Sequence, residues 1–132
     1  MNDKKNKKRV KMYFLIFLFI AIFLGAFGQI SLKYGLNKVG KITFQSLFTF
    51  NGFTNVFSNL FILLGCLFYL ISLFAWLTAL SSLDVSYMYP LLSISYVITA
   101  FIAFFLLKEN ITLFRWIGII FILIGSYFIM KS

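Results

Sequence analysis

The chain has 132 residues, 62% of them hydrophobic and only 11% charged, and carries a formal net charge of +9. A soluble domain of this length has too little interior to hide so much apolar surface, so composition requires an integral membrane protein. There is no histidine, and the three acids are Asp3, Asp84 and Glu109; that excludes the usual general base and any carboxylate cage, so no enzyme, metal site or cofactor is expected.

Residues 1–11 form a basic cytoplasmic leader holding Lys4, Lys5, Lys7, Lys8, Arg9 and Lys11. A basic run directly before an apolar one sets orientation and touches anionic lipid rather than nucleic acid. Residues 12–132 then read as a single transmembrane domain. Four runs are long enough to cross roughly 30 Å of hydrocarbon: Met12–Leu32, Phe57–Leu80, Val85–Leu107 and Thr112–Met130. Each must be a helix, because lipid offers backbone groups no other partner. The first is too long for a signal peptide, and no small-residue cleavage pattern follows it. The connections "SSLD" (81–84) and "KENI" (108–111) allow only tight helical hairpins. The longer one, Asn37–Asn55, mixes aromatic and hydroxyl residues around Thr43–Phe50 and predicts a short amphipathic segment on the membrane surface. Cys66 is the sole cysteine, so there is no disulfide framework.

Orientation follows from the basic residues. With the leader inside, Lys131 joins it, while Lys33, Lys38, Lys41, Lys108 and Arg115 fall on the opposite side. The leader tips the balance and puts both termini in the cytoplasm.

Polar residues inside apolar runs are the candidate functional groups. In "GAFGQISLKYG" (25–35), Gln29 and Lys33 share a helix face at i,i+4. Lys33 can snorkel to the interface, but Gln29 cannot, and Gly25 and Gly28 clear space beside it. In span three, Tyr89, Ser93 and Tyr96 share a face, either as helix–helix contacts or as the lining of a substrate path. Pro90 lies within that helix, leaves the Ser86 carbonyl without a donor, and is the expected hinge. Asp84 precedes the helix as an N-cap, with a substrate-binding role as the alternative. Lys108 and Arg115, on the same side as Lys33, form an anion-attracting rim, with Glu109 paired locally to one of them. Gly118 and Gly125 in the last span lie on one face, either for packing within the chain or as the seam of a dimer. The chain has no GxxxxGK[ST] motif, so ATP does not drive it.

These residues carry a resemblance. "FGQISLKYG" in span one, "YPLLS" in span three, and the hairpin glutamate followed by the glycine-spaced "WIGIIFILIG" resemble the four-helix branch of the drug/metabolite transporter superfamily, the EamA-like and small multidrug resistance fold. The nearest pattern is that of aminoarabinose-phospho-undecaprenol flippase subunits. The resemblance covers about Met12–Met130. It implies an all-α membrane protein with four transmembrane helices, short hairpins and a small-multidrug-resistance-like bundle that dimerises through its last helix, with itself or with a related four-helix chain. It also implies a multi-pass protein of the bacterial plasma membrane.

The small multidrug exporters couple protons through a span-one glutamate. The matching position here is Gly25, and their span-three tryptophan falls on Leu92, while Tyr69 matches an aromatic lining position of span two. The flippase-like subfamily commonly has a proline where this chain has Asp84. What the resemblance implies is movement of a polyprenyl-phosphate-linked sugar, or a related anionic lipid carrier. Its headgroup would sit against Gln29, Lys33, Tyr69 and the Tyr89/Ser93/Tyr96 stripe. The alternatives are a small-solute or multidrug exporter of the same superfamily, and an accessory membrane subunit of a glycosyltransferase.

Overall fold

The computed structural model describes residues 2–131, with side chains from Arg9 onward; the side chains of Lys4, Lys5, Lys7 and Lys8, which carry most of the leader's expected charge, lie outside the described residues. Six helices follow one another: α1 (Asn2–Val39), α2 (Phe44–Leu47), α3 (Phe50–Phe57), α4 (Leu60–Leu80), α5 (Val85–Phe105) and α6 (Leu113–Lys131). Four of them, α1, α4, α5 and α6, are long and apolar enough to cross a membrane. Among the described residues there is no strand.

The first helix runs past the expected end at Leu32. Nothing in "KYGLNKV" stops it until Gly40, whose φ of +95° gives the left-handed residue that terminates helices, and whose N–H donates to the Leu36 carbonyl at 2.9 Å. Its 38 residues make a rod of roughly 57 Å at the α-helical rise, longer than the hydrocarbon core is thick, so its ends project beyond it.

The surface segment is two short helices rather than one. Thr43 and Ser46 cap α2 reciprocally, the Ser46 N–H donating to Thr43 Oγ1 at 3.3 Å and the Thr43 N–H to Ser46 Oγ at 3.0 Å. On α3, Phe50, Phe53 and Phe57 are exposed. Phe57 therefore belongs to α3, and α4 begins at Leu60. Asn59 sets that boundary, since its Oδ1 accepts from the Phe61 and Ile62 N–H groups at 3.0 and 3.4 Å. At α5 the expected N-cap position is correct, but Asp84 serves it by backbone alone. Its carbonyl accepts from Tyr87 and Met88 at 3.0 Å, and its carboxylate makes no capping bond. Helix α5 continues through Pro90.

The spans form an open row, α4–α1–α5–α6. Helix α1 packs along both α4 and α5, and α6 packs along α5. The α1–α4 seam is made by small residues and by two serines that reach across it. Ser72 Oγ donates to the Ala21 carbonyl at 2.8 Å and Ser31 Oγ to the Phe61 carbonyl at 2.7 Å. Between α4 and α5 the contact concentrates at their shared hairpin, where Leu18, Ile22, Ala79, Leu83, Met88 and Leu91 make the buried core and Trp76 meets Tyr89 edge-on at 5.8 Å. Away from that hairpin α4 and α5 each pack on α1 more than on one another, and the space between them over α1 is open.

Candidate functional site

A cleft of about 240 Å³ lies in this open space over α1. Gly25 and Gln29 form its α1 wall, Tyr69, Ser72 and Trp76 come from α4, and Leu92 and Ser95 from α5. The three positions matched through the resemblance, Gly25, Tyr69 and Leu92, thus come together in one cavity. A Cβ built at Gly25 would lie 3.3 Å from Ser72 Oγ, so the glycine clears the space above that hydroxyl. No carboxylate lines the cleft, and its polar groups are hydroxyls, one amide and the Trp76 indole N–H. Ser72 and Ser95 spend their protons on backbone, Ser95 Oγ donating to the Leu92 carbonyl at 2.6 Å. Gln29, exposed on α1, lines the same space.

The span-three stripe is divided by the fold. Tyr89 lies outside the cleft lining, exposed, with its ring edge-on to Trp76. Ser93 is buried and shares a 2.8 Å hydrogen bond with Ser126 of α6. Because Ser126 Oγ donates to the Ile122 carbonyl at 2.7 Å, the shared proton is that of Ser93. Ser93 is therefore a helix–helix contact between α5 and α6 in this arrangement. Tyr96 faces a second cavity of about 250 Å³ between α1, α5 and α6, lined also by Gln29, Thr99, Glu109 and Arg115. Gln29 is common to both cavities. Lys33, one turn beyond it, is exposed and lines neither. Lys38 is held over Tyr34 and Phe61 at 4.8 and 4.5 Å from the ring centroids.

The hairpin that carries Glu109 and Arg115 bends at Lys108, whose φ is +54°. The Glu109 N–H returns to the Ala103 carbonyl at 3.1 Å, which folds the loop back onto the end of α5 and sets Glu109 at the cavity. A left-handed backbone at a residue with a Cβ costs on the order of 1 kcal/mol. Lys108→Gly is expected to raise the midpoint of thermal unfolding in detergent by about that amount of stability, read by circular dichroism; an unchanged or lowered midpoint contradicts the strain.

On α6, neither Gly118 nor Gly125 faces the rest of the chain: a Cβ at either would meet nothing within 4 Å. Among the described residues no three His, Cys, Asp or Glu side chains gather as a metal site. Composition alone did not single out Ser72, Trp76, Thr99 or Glu109 as lining residues. The available signal was Ser72, a hydroxyl one turn along α4 from Tyr69.

Comparison with known proteins adds to this geometry. The model of the EamA-like transporter family matches residues 42–131. The chain is 31% identical over 112 residues to the "Probable 4-amino-4-deoxy-L-arabinose-phosphoundecaprenol flippase subunit ArnF" of Serratia proteamaculans, covering 83% of this chain and 85% of that protein. It is 28% identical over 127 residues to an ArnF so named from Shewanella sediminis, with 89% and 88% covered. It is 27% identical over 112 residues to a protein of Pseudomonas savastanoi named as the probable flippase subunit ArnE for the same lipid, with 85% and 92% covered. No solved structure matches the chain.

Proposed function

The chain belongs to the EamA-like transporter family, and from that premise we propose that it is a flippase subunit carrying a polyprenyl-phosphate-linked sugar across the bacterial inner membrane. The relatives are named for a carrier lipid of that kind, one whose headgroup bears both a phosphate and an amine. The observation that carries the reading is the acid-free cleft on α1, with Gly25 where proton-coupled exporters of the resembling family hold a glutamate. An organic cation in that cleft would lack a counter-charge, whereas an anionic headgroup meets the donors left free of backbone there, the Gln29 amide, the Tyr69 hydroxyl and the Trp76 indole N–H. The separation of α4 and α5 supports a tail that stays in lipid while the headgroup occupies the cleft. Gln29 and Tyr69 are the proposed headgroup contacts in the cleft. Lys33, Lys108 and Arg115 are the attracting rim, Tyr96 belongs to the second cavity, and Pro90 is the hinge about which α5 moves. In this reading the termini are cytoplasmic.

Native mass spectrometry of the purified protein tests the proposal. Co-purified polyprenyl-phosphate lipids are expected. Their absence, together with thermal stabilisation by quaternary ammonium compounds, would favour a cation exporter instead.

We further propose that the subunit works as a pair, with a second copy or with a related four-helix chain, through the exposed face of α6 that carries Gly118 and Gly125. Gly125→Leu is expected to convert the pair to single chains in size-exclusion light scattering while the melting profile of the monomer is kept. A pair that survives the substitution places the seam elsewhere.

A further inference from the structure

The second cavity holds groups that the acid-free cleft lacks. Glu109 and Arg115 both line it, and among the described residues no ion pair or side-chain hydrogen bond joins them. Opposite charges that share a small cavity without pairing are placed to receive a ligand of both signs. A third group points the same way: Thr99 Oγ1 is buried and has no hydrogen-bond partner. A helical threonine ordinarily bonds back to its own backbone, as Thr78 does to the Phe74 carbonyl at 2.9 Å. An orphaned hydroxyl in a wall is explained by a partner that arrives. Tyr96 and the Gln29 amide complete the polar lining, and the volume of about 250 Å³ lies just below the usual range of drug-sized pockets, about 300–1,000 Å³, a size for a headgroup rather than a whole lipid.

We propose that this cavity, built by Gln29, Tyr96, Thr99, Glu109 and Arg115, is a second station for the carrier headgroup that selects a zwitterion, taking an ammonium at Glu109 and Thr99 and a phosphate at Arg115. The inference rests on the carrier-lipid reading above and adds the chemistry by which one headgroup is told from another. The cleft can accept a phosphate sugar but contains nothing that distinguishes an amine from a hydroxyl. Among the described side chains Glu109 is the one acid placed to do so: Asp84 stands at the opposite end of α5, beside the α4–α5 hairpin. Gln29, a wall of both cavities, is the side chain past which the headgroup moves between them. The left-handed turn at Lys108 is what brings Glu109 back over the end of α5.

The experiment is a titration of purified protein, followed by tryptophan fluorescence, with three short-chain probes. These are a polyprenyl phosphate bearing an amino-pentose, the same compound with a hydroxyl in place of the amine, and the bare polyprenyl phosphate. The unaltered protein is expected to bind the amino compound about tenfold more tightly than the hydroxyl compound, as a charge-assisted bond to a carboxylate provides. Glu109→Gln should erase that ratio, and Thr99→Val, which keeps the shape of the side chain, should reduce it. Equal affinity for the amino and hydroxyl probes in the unaltered protein overturns the zwitterion station and leaves the carrier-lipid reading intact. A ratio that survives Glu109→Gln in a chain with unchanged helicity overturns it as well. Failure to bind any of the three probes overturns the carrier-lipid reading, and this inference with it.

Discussion

Replacing Gly65 by leucine is expected to eliminate the folded protein, and Gly65→Ala to cost about 1–3 kcal/mol, the usual range for overpacking. A Cβ at Gly65 would stand 2.6 Å from Leu32 Cγ and 2.9 Å from the Leu32 nitrogen, so the backbone of α1 itself is in the way and no rotamer change relieves the clash. From the other side, a Cβ at Gly28 would lie 3.2 Å from the Gly65 carbonyl oxygen, and one at Gly35 would lie 3.0 Å from the Ile62 nitrogen. The two helices are at backbone contact over two turns. In lipid there is no hydrophobic gain from bringing helices together, so close packing and the cross-seam serine bonds hold α1 to α4. Loss of helical signal at lower temperature, followed by circular dichroism in detergent, is the readout. A Gly65→Ala protein that melts with the unaltered one would show that the seam is looser than described. Gly118→Ala is the contrast within a single chain, where its Cβ meets nothing and alanine favours helix by about 1 kcal/mol; it is read on monomer in detergent, apart from the proposed seam.

The same residues explain how much of the fold could be read in advance. The four spans were legible because composition and length decide them. Their arrangement was not, since lipid-facing and buried residues are equally apolar: Leu18 is wholly buried while its neighbour Phe19 is 39% exposed. Small residues were the better guide, and Gly25 and Gly28 did mark the α1 face that packs and opens. The extension of α1 to Val39 is not legible from polarity, since polar residues end the apolar run without ending the helix, and only Gly40 supplies the conformation that stops it.

Within the site, Gln29 and Tyr69 were legible and do share a cavity. The regular spacing of Tyr89, Ser93 and Tyr96 suggested one lining stripe. Three neighbours divide it instead, with Trp76 against Tyr89, Ser126 against Ser93, and the second cavity beside Tyr96. The spacing of Glu109 to Lys108 and Arg115 suggests a local hairpin pair; where Glu109 lies depends instead on the backbone at Lys108, which no spacing reveals.

The second large effect is on transport. Gln29 is exposed on α1, away from the α4 seam, and it is the side chain common to both cavities. Gln29→Leu removes its donors and acceptor while filling similar space, so the fold is expected to melt unchanged. A hydrogen bond to a charged group contributes on the order of 1.5–3 kcal/mol, so losing one predicts a fall in headgroup translocation of about tenfold or more. The assay is translocation in vesicles reconstituted with each protein at equal density. An unchanged rate would remove Gln29 from the path and with it the idea that the two cavities are consecutive. A lowered melting temperature would instead assign the amide a structural role.

The central claim is that this chain moves an anionic carrier lipid across the bilayer. Its most direct test uses the protein, with any related chain that co-purifies, reconstituted into vesicles containing a polyprenyl phosphate amino-sugar. An amine-reactive reagent that cannot cross the membrane then reports the fraction of headgroups reachable from outside. In empty vesicles the reaction should stop at the outer-leaflet share; with protein it is expected to continue until nearly all of the lipid has reacted. A reaction that stops at the outer-leaflet share in both, while the same vesicles take up a quaternary ammonium dye, would contradict the account.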